Sequence, residues 1–257
     1  MSDDALILAM RETGQGPPLV LLHGLFGQGG NFGAIARRLS ARYRVLMPDL
    51  RNHGTSPHAA TMAYPQMAAD LLATLAQASA LPALLMGHSM GGKVAMAAAQ
   101  AAPESVARLC VSDIAPRAYP PSFDRYAAAM AALPLAPGLS RGEADRALAD
   151  AVPDAGVRAF LLQNLRLDPP GWRIGLPAIT AALPEISGWV PPEAPPYDGP
   201  TLFVAGERSD YILPSDHPAI LRRFPRARFA TVEGAGHWVH AEAPERFLAV
   251  LEPFLAG

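Results

Sequence analysis

Apolar residues along this 257-residue chain follow two alternating patterns. Short, mostly apolar runs occur at residues 6–10, 18–22, 45–47, 83–86, 106–112, 201–205 and 228–232. Bounded by turn residues, these runs predict buried strands. Between them the period changes. Phe32, Ile35, Ala36 and Leu39 share one helical stripe, as do Leu71, Leu72 and Leu75, and Val94, Ala95, Ala97, Ala98 and Ala101. Residues 218–224 and 244–255 predict two more helices. Strands alternating with helices predict an α/β fold, with a mostly parallel sheet covered on both faces. Ligands of such sheets bind beyond the carboxyl ends of the strands. Ser89, Asp113, Asp210 and His237 each fall just past a predicted strand.

One region breaks the alternation. Across residues 116–196 no strand is predicted and prolines crowd in. Short helical pieces fit between them. Residues 122–133 form one. Ser140 and Glu143 make a capping box for a second, and Asp154 caps a third that carries Val157, Phe160, Leu161 and Leu165 on one face. Residues 172–183 predict a fourth. The expectation is an all-helical cap at 116–196, set between core segments 1–115 and 197–257. A flexible linker fits poorly with so many apolar residues.

Composition narrows the function classes. Half the residues are hydrophobic, 17% are charged and the formal net charge is -2. That balance leaves no basic footprint for nucleic acid. No window approaches an uninterrupted spanning length, and the acidic start MSDDALILAM is not a secretory signal. A cytoplasmic protein without membrane partners is expected. Cys110 is the single cysteine, so no disulfide forms within the chain. It sits in an apolar run, as a buried structural thiol would.

The densest chemical signal is Gly87-His88-Ser89-Met90-Gly91, a G-x-S-x-G turn between a strand and a helix. That context makes Ser89 a candidate nucleophile, held on a sharp turn that needs glycine on either side. The helix that follows directs its positive dipole end at developing negative charge. Acyl transfer by serine also needs a base, a group that orients the base, and donors for the oxyanion. His237 follows a Gly-rich turn after a strand and is the expected base. Serine, then acid, then histidine is the chain order of the α/β-hydrolases. The expected oxyanion donors are the backbone N–H groups of Met90 and of Leu25, in His23-Gly24-Leu25. His23 is expected to anchor that loop, His240 to be structural, and His88 to pack behind the sheet.

The motifs HGLFG at His23, DLRNHGTSP at Asp49, GHSMGGK at Gly87, SDIAP at Ser112 and AGHWVHAEAPERF at Ala235 carry a resemblance. The chain resembles α/β-hydrolases along its whole length, and more narrowly the YbfF-type bacterial esterases and their eukaryotic abhydrolase relatives. The resemblance implies an α/β-hydrolase fold and hydrolysis of short-chain carboxylic esters or thioesters without cofactor or metal. It implies little about the cap. For the acid, most α/β-hydrolases would favour Asp210. The YbfF-like pattern instead matches Asp113, with a serine at position 209 supporting the histidine. Asp113 is therefore the expected acid and Asp210 the alternative. Phe26, Phe160, Trp172 and Trp238 are the expected substrate-binding side chains, and Phe160 and Trp172 could equally hold the cap to the sheet. The expected partner is a small ester or thioester, acted on by a monomer or homodimer. A thioesterase or C–C bond hydrolase with the same three residues is the alternative activity. A non-catalytic binding protein on the same fold is a third class.

Overall fold

The computed structural model describes residues 5–190 and 193–257. Residues 1–4, in the expected first core segment, and residues 191–192, in the expected cap, lie outside them. Nine strands and ten α-helices are found among the described residues. The strands are β1 Met10–Thr13, β2 Pro18–Leu22, β3 Arg44–Pro48, β4 Ala83–His88, β5 Val106–Ser112, β6 Leu165–Leu167, β7 Pro170–Trp172, β8 Thr201–Gly206 and β9 Ala227–Val232. The helices are α1 Gly33–Leu39, α2 Tyr64–Gln77, α3 Met90–Ala101, α4 Asp124–Ala132, α5 Arg141–Leu148, α6 Ala155–Leu162, α7 Leu176–Ser187, α8 His217–Arg223, α9 Val239–Glu242 and α10 Pro244–Ala256.

Seven strands form one sheet in the order β1-β3-β2-β4-β5-β8-β9. Only β1 runs antiparallel, against β3. The central strands are apolar throughout because both faces are covered. Alternate residues feed two cores. Val20, Leu22, Leu85, Leu109 and Val111 pack towards α2, α3 and the segment between β5 and β8. Leu19, Leu21, Leu84, Met86 and Cys110 pack towards α1 and α10. Burial pushes the Cys110 thiol well up, so it stays protonated and inert.

Two sequence expectations fail here. The first strand lies at Met10–Thr13, not at residues 6–10. The Leu6, Leu8 and Ala9 N–H groups are taken by the side chains of Asp70, Thr74 and Ser56, so the sheet cannot have them. The segment between β5 and β8 is not all-helical. Residues 165–172 fold into the β6–β7 hairpin, with Leu165 opposite Trp172. Asp168-Pro169 makes its turn, and Pro177 at the first turn of α7 moves that helix's start to Leu176. The caps at Ser140 and Asp154 form as read, each side chain accepting from the backbone N–H three residues on.

No helix of the described residues is long and apolar enough to cross a membrane.

Candidate active site

Ser89 stands between β4 and α3 with φ 52° and ψ -120°, a strained conformation for a residue with a side chain. The neighbouring glycines make it possible. A Cβ on Gly87 would lie 2.2 Å from the Gly91 carbonyl oxygen. A Cβ on Gly91 would lie 2.5 Å from that of Leu22, at the end of the next strand. Asp113, one residue past β5, is also left-handed, with φ 53°. The strain turns its carboxylate across the strand ends towards β8 and His237.

The geometry follows a line of hydrogen bonds. His237 Nδ1 lies 2.8 Å from Asp113 Oδ2, and His237 Nε2 lies 3.1 Å from Ser89 Oγ. A carboxylate can only accept, so Nδ1 carries the ring proton and Nε2 is left to accept from the serine. Asp113 is fully buried. Its Oδ1 accepts from the Gly206 N–H at 2.9 Å, and its Oδ2 also accepts from the Ser209 hydroxyl. Asp210 is exposed, and its backbone carbonyl accepts from Arg117. Of the two candidate acids, His237 bonds Asp113. Ser209 supports the histidine through the carboxylate, not directly.

The loop that carries His237 is set by Glu242 in α9. Its carboxylate accepts from the N–H groups of Gly236 at 2.8 Å and Trp238 at 3.1 Å, on either side of the histidine. The Tyr211 ring stacks on the imidazole with centroids 3.9 Å apart. His88 does not pack behind the sheet. Its Nε2–H donates to the His237 carbonyl oxygen at 2.8 Å, and its ring lies 4.7 Å from the His237 ring. Burial holds His88 well below the usual histidine range, with the neighbouring histidines adding to the effect. His240 is buried beside Phe32 and is pushed down to about 4 for the same reason.

The expected oxyanion loop is pinned by two histidines. His23 Nε2 accepts from the Leu50 N–H at 3.0 Å, and its Nδ1–H donates to the Gly24 carbonyl. His53 Nε2 accepts from the Phe26 N–H at 3.1 Å. Burial lowers both, His53 to about 3, so each stays neutral and keeps an acceptor nitrogen. Phe26 itself has φ 60°. The loop holding Leu25 is thus tied to residues 50–53, and Arg51 there is paired with Asp70 at 2.7 Å, both buried.

Two cavities meet at Ser89. One, of about 30 Å³, is walled by Phe26, Phe160, Leu161 and Trp238 and includes His237. The other, of about 20 Å³, is walled by Met90, Ile114, Tyr119 and Tyr211. Leu25 and Phe123 border both. Of the expected substrate-binding side chains, Phe26, Phe160 and Trp238 face the site. Trp172 does not. It packs with Leu133, Ala144 and Leu165, and its indole N–H donates to the Met130 carbonyl at 3.0 Å. Its period matched a helix face, but it folds into the hairpin. Lys93, Tyr211, Glu242 and His53 have roles that sequence reading missed. Lys93, the single lysine, His53 and Glu242 lie within the motifs read from the sequence, and Tyr211 carried no signal.

Among the described residues, no group of three or more His, Cys, Asp or Glu side chains is arranged to hold a metal ion.

Comparison with known proteins decides the family. Residues 19–250 match the alpha/beta hydrolase family. The chain belongs to it. The sn-1-specific diacylglycerol lipase ABHD11 of Mus musculus is 41% identical over 93% of this chain and 81% of its own. Esterase YbfF of Escherichia coli is 38% identical over 93% of this chain and 92% of its own. Among solved structures, a marine microorganism esterase superposes with a TM-score of 0.94 at 36% identity, covering 97% of this chain and all of that one. The chain is an α/β-hydrolase of the esterase and lipase type.

Proposed function

We propose that this chain hydrolyses short-chain carboxylic esters through an acyl-enzyme on Ser89, with His237 as base and Asp113 as acid. The observation that carries the reading is the position of His237, within hydrogen-bond reach of Ser89 Oγ on one side and Asp113 Oδ2 on the other. Ser89 Oγ attacks the ester carbonyl carbon as His237 Nε2 takes its proton. Asp113 keeps the ring in the needed tautomer and stabilises the imidazolium. The backbone N–H groups of Leu25 and Met90 receive the oxyanion. The imidazolium then gives its proton to the departing alkoxide, the C–O bond breaks, and the acyl group stays on Ser89. Water attacks the acyl-enzyme next, losing its proton to the same nitrogen, and the acid leaves.

The segment 116–196 acts as the cap in this reading. Phe123, Tyr126, Val157, Phe160 and Leu161 from it wall the cavity that holds His237. The names of the relatives, esterase and lipase, favour an oxygen ester. A thioester would use the same atoms, and a panel of 4-nitrophenyl esters and acyl-CoA thioesters separates the two.

The test is Ser89→Ala. Loss of a serine nucleophile cost about 10^6 in kcat in a well-studied protease, and a fall on that order is expected. Alanine removes bulk from the strained turn, so the variant should fold. Activity within about tenfold of the parent, a barrier change of only about 1.4 kcal/mol, would overturn the reading.

A further inference from the structure

The two cavities at Ser89 are not equivalent, and their difference has a direction. In the proposed mechanism the leaving oxygen must lie within reach of His237 Nε2, which protonates it. The acyl chain must then leave the same carbonyl carbon on the other side. Only one cavity, that of Phe26, Phe160 and Trp238, includes His237. The other is cut off from the imidazole by the Tyr211 ring, which stacks on it. Two of its other walls, Met90 and Ile114, follow the expected nucleophile and the expected acid in sequence.

We infer that the cavity between Met90, Ile114, Tyr119 and Tyr211 is the acyl subsite, sized for an acyl chain of two or three carbons, and that the Phe160–Trp238 cavity takes the alcohol. The inference rests on the serine-esterase reading above.

Three observations support it. The first is size. A cavity of about 20 Å³ holds little more than one water-sized group, since a water needs roughly 10–15 Å³ on the same measure, and it is the smaller of the two, the other being about 30 Å³. The second is stiffness. The Tyr119 hydroxyl receives the Ala115 N–H at 2.7 Å and donates to the Tyr211 carbonyl at 2.6 Å, which ties the two aromatic walls together. Deeper in, Lys93 Nζ holds the Gly188 carbonyl at 2.6 Å, with Ser187 and Ile186 at 3.3 and 3.4 Å. That nitrogen, which burial pushes down to about 7, sits 5.0 Å from the centre of the Tyr119 ring and 5.4 Å from that of Tyr64. A wall braced in this way cannot swing aside for a long chain without losing these hydrogen bonds. The third is continuity. The alcohol-side cavity shares Tyr126, Val157, Phe160 and Trp238 with a surface groove of about 600 Å³. A bulky alcohol therefore has an exit.

In this assignment Phe160 lines the alcohol side of the site. The substrates it describes are acetic and propionic esters of large apolar alcohols.

The experiment is two substrate series on the purified chain. One keeps 4-nitrophenol and lengthens the acyl group from acetate to hexanoate. The other keeps acetate and enlarges the alcohol from methyl to naphthyl. In the first series kcat/KM should fall at least tenfold beyond propionate. In the second it should hold or rise. Ile114→Ala should raise the hexanoate-to-acetate ratio roughly tenfold, the scale of one or two methylenes in an apolar pocket. Phe160→Ala should change the alcohol series instead. If Ile114→Ala does not fold, Ile114→Val and the wild-type acyl series still decide. Hexanoate cleaved as fast as acetate would overturn the subsite assignment alone, as would an acyl ratio that follows Phe160 and ignores Ile114. If no ester is cleaved and Ser89 does not react with a fluorophosphonate, the serine-esterase reading falls and takes the assignment with it.

Discussion

The Ser209 hydroxyl donates to the same Asp113 carboxylate oxygen that His237 Nδ1 bonds. One oxygen thus accepts two hydrogens, and Gly206 N–H holds the other oxygen. The carboxylate is buried, so each donor stabilises its charge where water cannot. Ser209→Ala removes one of them. A hydrogen bond to a charged group is worth roughly 1.5–3 kcal/mol, so kcat should fall about 10- to 100-fold with little change in KM. Steady-state kinetics on 4-nitrophenyl acetate check this, and an unchanged kcat would show Ser209 to be a bystander.

Asp113→Asn and Asp210→Asn should behave oppositely. An amide at 113 cannot hold the His237 tautomer, and the same exchange in a serine protease cost about 10^4 in kcat. Asp210 is exposed, and its exchange should leave activity within about tenfold. Circular dichroism must show that both variants fold, because a buried carboxylate is also structural. A dead Asp210→Asn beside an active Asp113→Asn would move the acid to the other strand end.

Much of this site was legible because its residues sit on motifs at strand ends. Ser89 carried its strand–turn–helix context, and His237 its Gly-rich turn. The residues alone left the acid open because Asp113 and Asp210 both follow strands, and only the family resemblance favoured Asp113. What separates them is the left-handed turn at Asp113 and the exposure of Asp210, neither of which has a sequence pattern. The sheet strands after the first needed no more than apolar runs to be located. The β6–β7 hairpin was missed because its strands are three residues each, and Trp172 was misplaced with it. Lys93 was conspicuous as the single lysine, yet its partners are backbone carbonyls 93–95 residues away. No local spacing records such a contact.

Stability should depend on the pair beneath the oxyanion loop. Arg51 and Asp70 form two hydrogen bonds, at 2.7 and 2.9 Å, and both side chains are buried. Asp70→Asn leaves an uncompensated buried guanidinium and weakens the bond from the Leu6 N–H. Breaking one side of such a pair costs about 3–5 kcal/mol. Urea unfolding should report a loss of that order. A loss under about 1 kcal/mol, typical of an exposed pair, would contradict the burial.

The fold should weaken in mild acid. His53 and His240 are held neutral by burial, at about 3 and about 4, against an ordinary value of 6.5. Between those values the unfolded chain binds protons that the folded chain refuses. Stability therefore rises with pH across that window and is lost as pH falls from 6.5 towards 4. Urea midpoints at a series of pH values across this range should decrease steadily. A flat profile would mean that these histidines are solvated.

The central claim is that Ser89 is the nucleophile. Treating the wild-type chain with a fluorophosphonate, then mapping the adduct by peptide mass spectrometry, tests it most directly. One adduct is expected, on Ser89 in the peptide spanning β4 and α3, with loss of esterase activity in step with labelling and no labelling of His237→Ala at the same rate. Activity lost with the adduct on another residue, or ester hydrolysis that continues after Ser89 is fully labelled, would contradict the account.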